Sequence, residues 1–117
     1  MNTAFITGIT GQDGSYLSEY LLKKGYKVIG LISPTHNIGF ENINHIKEDL
    51  ILEEGDLLDL ESMKQVFKKH KPDEVYNLAG ITYIPTSWEK PSLTLDINLL
   101  GVSRLLEIIE STCPTTR

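Results

Sequence analysis

The chain has 117 residues, 40% hydrophobic and 23% charged, which is the length of one domain and too apolar a composition for disorder. Eleven Lys and Arg against 16 Asp and Glu leave a formal net charge of −5, so no basic field is offered to a nucleic acid or an anionic membrane. The apolar runs are short, the opening MNTAFITG has neither the basic nor the apolar stretch of a secretory leader, and Cys113 has no second cysteine to pair with, so a cytoplasmic protein without a membrane span is expected.

Thr3 to Thr7 is a short apolar run ending on a glycine cluster and is predicted to be a buried strand. From Ser15 the period changes. Tyr16, Leu17, Tyr20 and Leu21 recur at helical spacing and are expected to form the inner face of a helix, with Gly25 as its left-handed C-terminal stop. Lys27 to Ile32 (KVIGLI) is a second strand, broken by Ser33-Pro34 and followed by a polar stretch. Leu50-Ile51-Leu52 opens a third strand that stops at Gly55-Asp56. Asp59 then caps a helix whose Leu60, Met63, Val66 and Phe67 share a face, with Lys68 to Lys71 crowding its end and Pro72 closing it.

Val75 to Gly80 is a fourth strand running into a glycine, and a loop with Pro85 and Trp88 leads to Pro91. One long helix is expected from about Ser92 to Ser111. Its apolar residues fall on two arcs, Leu93, Ile97, Leu100 and Val102 on one and Leu99, Leu106 and Ile109 on the other, together wider than one sheet face requires. Strands alternating with helices imply a parallel sheet with right-handed crossovers. The expected fold is therefore α/β, a doubly wound Rossmann sheet of about four strands in the order 3-2-1-4 within a single domain.

The junction of the first strand and first helix reads Gly8-Ile9-Thr10-Gly11-Gln12-Asp13-Gly14. Gly8 permits a tight turn, Gly11 allows main chain to approach a pyrophosphate, and Gly14 allows close helix–sheet packing. The unpaired N–H groups of the first helical turn then face the phosphates with the helix dipole behind them. A glycine cluster at this place predicts dinucleotide binding, which the same glycines in an ordinary loop would not.

The spacing Gly-x-x-Gly-x-x-Gly, with Thr7 before it, resembles the opening of the extended short-chain dehydrogenase/reductase family. TGITGQDGSYLSEYLLKKGYKVIGLIS, GDLLDLESM, KPDEVYNLAG and SWEKPSLTLDINLLGVSRLLEIIE continue that resemblance in order, and within the family they are most similar to nucleotide-sugar 4,6-dehydratases. Only residues 34–49 match poorly. The resemblance implies an NAD(P)-binding part, the N-terminal third of a longer enzyme acting on a nucleotide sugar, with a nucleotide-sugar 4-epimerase or a dTDP-glucose dehydratase as sister activities. A self-standing NAD(P)-binding module without catalysis is the reading from another class.

The resemblance implies roles for further positions. Asp56 and Leu57 follow the third strand, where the family's Asp-Leu pair meets the adenine. Leu78, Ala79, Gly80 and Thr82 end the fourth strand, where small residues admit the ribose and nicotinamide half; the family has a glutamine where this chain has Ile81, so a polar contact to substrate is lost there. Ser87 matches a serine near the sugar. Cofactor choice turns on the end of the second strand. An NAD site wants an acid there, and Leu31, Ile32 and Ser33 supply none. Ser33 and Thr35, with His36, are therefore expected to take a 2′-phosphate, and NADP is favoured over NAD.

The family's chemistry uses Tyr-x-x-x-Lys. Only Tyr20 and Lys24 have that spacing, and Tyr20 is expected on the core side of its helix, so no catalytic residue is assigned. His36, His45 and His70 have no ligand spacing and are expected to be solvated, with no metal site. The helix near Ser92–Ser111 matches one that pairs across dimers in the family, which implies a homo-oligomer.

Overall fold

Four strands, β1 (Thr3–Thr7), β2 (Lys27–Ile32), β3 (Ile51–Glu54) and β4 (Glu74–Asn77), form one sheet in the order β3-β2-β1-β4. Every pairing is parallel, with Phe5 opposite both Ile29 and Val75. The computed structural model of the protein describes residues 2–33, 39–56, 58–80 and 84–117. The order and direction are those expected from the alternation of strands and helices.

Two apolar layers flank the sheet because alternate strand residues point to opposite faces. On one face, Phe5, Ile29 and Leu31 pack against Met63, Val66 and Phe67 of helix α2 (Leu60–His70) and Leu105 and Ile108 of helix α5 (Gly101–Thr112). The Phe5 and Phe67 rings lie 4.7 Å apart at 51°. Burying a phenylalanine of this kind stabilises by about 1.5–3 kcal/mol. On the other face, Ala4, Ile6 and Val28 meet Ile9, Leu21 of helix α1 (Gln12–Lys23), Ile43 and Leu50. Asp59 caps α2, accepting from the N–H groups of Glu61 (3.1 Å) and Ser62 (3.4 Å). Lys71 closes that helix in the left-handed region at φ 45°, and Gly25 follows α1 at φ +83°.

Four local expectations change. The inner face of α1 is Gly14, Ser15, Ser18 and Leu21, while Tyr16 and Tyr20 are exposed. Bulky rings at those positions would hold the helix off the sheet, so the small side chains take the inside. The Pro85–Trp88 stretch is a short helix, α3 (Ile84–Glu89), rather than a loop. The long C-terminal helix is continuous from α4 (Pro91–Leu95) to α5 but passes through a π turn at Asp96–Leu100. That extra residue rotates the two arcs relative to a regular helix. Ile97, Leu105, Ile108 and Ile109 pack inward, and Leu95, Leu99, Leu100, Val102 and Leu106 face out.

The polar stretch after β2 also supplies core: Ile43 is fully buried, and Phe40 and Ile46 pack beside it. Among the described residues no helix is long and apolar enough to cross a membrane.

Candidate functional site

All four strands are parallel, so the segments after their C-terminal ends gather along one edge of the sheet. The turn after β1, Ser33 after β2, Gly55-Asp56 after β3 and Leu78-Ala79-Gly80 after β4 all lie there. Connections leave β1 toward β2 and β4 lies on β1's other side, which makes the β1/β4 boundary the switch point where such sheets form a crevice.

The glycine turn sits at that boundary and is built by close approaches. Gly8 has φ +70°, and a Cβ on it would stand 2.8 Å from the Ala79 nitrogen and from the Leu78 carbonyl carbon. Both the backbone conformation and the neighbouring strand end therefore require glycine. Gly14 is excluded from substitution by another contact: its Cβ would fall 2.2 Å from the Gly8 oxygen, because α1 packs directly onto the turn. Gly11 is different. Among the described residues a Cβ there meets only the Gly8 oxygen, at 3.3 Å, so its missing side chain leaves space in front of the helix.

The Gly11 N–H donates to the Gly8 carbonyl (3.1 Å), and Gly11 is the N-cap of α1 without a side-chain cap. Gln12 and Asp13 are exposed, so the N-terminal turn of α1 opens to solvent with its dipole's positive end. Ile9 contributes main chain only, since its side chain is fully buried over Gly30. Thr10 is braced from outside the turn, its carbonyl accepting from Asn42 Nδ2 at 3.0 Å.

Thr7 locks the two sides of the switch point together. Its buried Oγ1 donates to Asn77 Oδ1 (2.5 Å) and accepts from the Ala79 N–H (3.1 Å), while its carbonyl accepts from the Leu78 N–H (3.3 Å). Neither Thr7, beyond its place before the glycines, nor Asn42 and Asn77 was marked as a site residue by the sequence reading. For Thr7 and Asn77 the signal was a polar residue at a strand end, which is indistinguishable in sequence from an ordinary cap, and Asn42 lies in the turns between β2 and β3 with no such signal.

Asp56 is half-buried at the crevice edge, and one of its oxygens, Oδ1, accepts from the Leu58 N–H (2.9 Å). It is thus also a turn residue, just before the Asp59 cap. Leu78 and Gly80 are exposed and Ala79 is half-buried beside Gly8. Ser33 is half-buried just past β2, and Ser87 lies on α3. Thr35, His36, Leu57, Ile81 and Thr82 fall outside the described residues.

Other titratable groups are taken up by structure. Glu53 accepts from Lys69 Nζ and pairs with His70 Nε2, each at 2.8 Å, and these hydrogen bonds, Lys69 first, hold its carboxyl below the usual range. The His70 side chain is only 6% exposed, so it is a buried hydrogen-bond partner of Glu53 and not the solvated histidine expected. His45 pairs with Glu19. Tyr20 is 55% exposed with Lys24 Nζ 5.0 Å from its ring centroid. The Tyr20–Lys24 spacing is therefore a surface cation–π contact at the C-terminal end of α1, away from the crevice, and not the core position expected.

A family model described as GDP-mannose 4,6 dehydratase matches residues 5–117. The chain belongs to that family. It is 46% identical over 116 residues to GDP-mannose 4,6 dehydratase 1 of Arabidopsis thaliana, covering 92% of this chain and 32% of the relative. Solved structures with the same fold include UDP-glucose 4-epimerase of Thermotoga maritima with UDP-glucose (TM-score 0.84, 27% identity, 94% of this chain and 34% of that one). The Thermus thermophilus UDP-glucose 4-epimerase in complex with NAD is also similar (TM-score 0.82, 29% identity, 94% and 34%). The chain spans about a third of the length of the curated relatives it matches.

Proposed function

We propose that this chain is the dinucleotide-binding part of a nucleotide-sugar 4,6-dehydratase acting on GDP-mannose, with NADP as its bound cofactor. The observation that carries the reading is the glycine turn: Gly8 and Gly14 are closed to any side chain by contacts inside the protein, whereas Gly11 is open toward the exposed N-terminus of α1. A cradle of that shape fits a pyrophosphate.

The residues 8–14 would hold the phosphates through main-chain N–H groups. Asp56 and Leu57 would meet the adenine, Ser33 and Thr35 the 2′-phosphate, and Leu78, Ala79, Gly80 and Thr82 the nicotinamide half, with Ser87 near the sugar. The nicotinamide supplies reversible hydride acceptance, which in a 4,6-dehydratase allows transient oxidation at sugar C4. No residue of this chain is assigned a proton-transfer role, and the chain by itself is expected to bind cofactor weakly and to lack turnover. The buried single cysteine is in keeping with a reducing cytoplasm.

A nucleotide-sugar 4-epimerase is favoured by the solved structures named above, but at 27% and 29% identity against 46% to the dehydratase. A non-catalytic module is separated from both by the gene: a reading frame continuing past Arg117 into Tyr-x-x-x-Lys removes it.

The direct test is an NADPH fluorescence titration of the wild-type chain and Gly11→Val. The valine side chain projects into the open approach, and binding is expected to weaken by about tenfold or more, the cost of about 1.4 kcal/mol. Equal affinity in both proteins would remove the phosphate cradle. Measurable turnover of GDP-mannose by the isolated chain would overturn the catalytic assignment.

A further inference from the structure

The π turn at Asp96–Leu100 interrupts an otherwise regular helical run, and such turns concentrate at functional sites. Its middle residue is Asn98. A Cβ built on Gly80 would stand 3.1 Å from Asn98 Oδ1 and 3.8 Å from its Cγ, so the amide lies against the main chain just beyond β4. Both residues are exposed at that edge. The turn is pinned from within its own helix: Arg104 Nη2 donates to Asp96 Oδ1 at 2.5 Å, and Nη1 reaches the Asp96 carbonyl at 3.5 Å. A bidentate guanidinium spanning eight residues in this way suits a turn that is wider and shorter than a regular one.

Contacts therefore run without a gap from the glycine turn to this helix. Gly8 touches Leu78 and Ala79, Gly80 follows them, and Gly80 meets Asn98. If a pyrophosphate sits at the N-terminus of α1 and the adenosine lies toward β2 and β3, the second nucleoside must cross the switch point to the end of β4. We infer that Asn98 is a positioning residue for that second half of the crevice, held in place by the π turn and the Asp96–Arg104 pair. The inference rests on the dinucleotide reading above.

The test uses the 117-residue chain and two probes, NADPH and 2′-phospho-ADP-ribose, which lacks the nicotinamide. Asn98→Ala weakens NADPH by about fivefold or more and leaves 2′-phospho-ADP-ribose within about twofold, a split that general loss of folding cannot produce. Arg104→Met reproduces the split by releasing the turn, and Asn98→Asp, which keeps the oxygen facing Gly80, restores part of the NADPH affinity. Gly80→Ala probes the same contact from the other side, should Asn98→Ala fail to fold. Wild-type binding of both probes, with the Asn98 and Gly80 variants losing neither or both equally, overturns the inference while leaving the dinucleotide reading intact. Failure of the wild type to bind either probe overturns the dinucleotide reading and this inference with it.

Discussion

At the scale of single residues the crevice depends on what is absent from Gly8, Gly11 and Gly14, and the three absences have different causes. Gly8 and Gly14 answer to the protein's own packing, Gly11 to space outside it. Thr7 is the polar counterpart, a fully buried hydroxyl with a donor and an acceptor both satisfied across the β1/β4 boundary. An unsatisfied hydroxyl there would cost about 1–3 kcal/mol. The end of β2 governs cofactor choice in the proposed site. Ser33→Arg places a planar cation where the 2′-phosphate is expected, and the ratio of NAD to NADPH dissociation constants is expected to rise by about tenfold. An unchanged ratio would place the adenosine ribose elsewhere.

At the scale of elements, α1 and the α4–α5 run show how a helix face is chosen. Ser18 on α1 is buried and donates to the Gly14 carbonyl at 2.7 Å, a contact available only because the helix lies close to the sheet. The C-terminal run is opposite in character. Leu99 and Leu106 are each 63% exposed, and Leu95 and Val102 complete an outward apolar stripe at helical spacing. We propose that this stripe covers a second copy of the chain, as exposed apolar faces of this width favour association. Wild type is expected to sediment above its 13.2 kDa monomer mass at micromolar concentration, and Leu99→Glu to return it to monomer. A wild-type monomer that Leu99→Glu leaves unchanged would sink the interface. The outer edge of β4 offers less unpaired main chain for such association than a bare strand would. Arg117 already bridges it, donating its N–H to the Asp73 carbonyl (2.9 Å) and accepting from the Val75 N–H (2.6 Å).

At the scale of the whole molecule, Arg117 returns to the start of β4, at the end of the sheet away from the crevice. Tyr76 Oη donates to Glu74 Oε2 (2.7 Å), Tyr26 Oη donates to Glu74 Oε1 (3.2 Å), and Arg117 Nη2 reaches the same oxygen at 3.2 Å. The Glu74 hydrogen bond, with burial second, pushes the Tyr76 phenol up to about 12 from 10.0. A raised folded-state pKa stabilises fully below the unfolded value. That stability is lost as pH rises from about 10 through about 12. The contribution is expected to be at most about 2 kcal/mol, reduced by partial exposure. Urea melts between pH 9 and 12 should show a steeper loss of stability for wild type than for Tyr76→Phe. Parallel pH profiles for the two proteins would exclude the coupling.

The sequence by itself determined the sheet order, the direction of the strands, the cap at Asp59, the stop at Gly25 and the place of the glycine turn. Each of these follows from signals local in the chain: alternation of elements, a capping side chain, a residue that tolerates positive φ. It did not determine which face of α1 lies inward, because tyrosine and serine stripes share the same period and only the distance to the sheet excludes the rings. It did not show that Ile43 completes a core layer from a polar connection, nor that His70 is buried against Glu53. The π turn and the approach of Asn98 to Gly80 were equally hidden, since a helix of that composition reads as regular. These features depend on residues distant in sequence arriving at one place, and only packing decides which of several locally acceptable arrangements leaves no clash and no unpaired polar group.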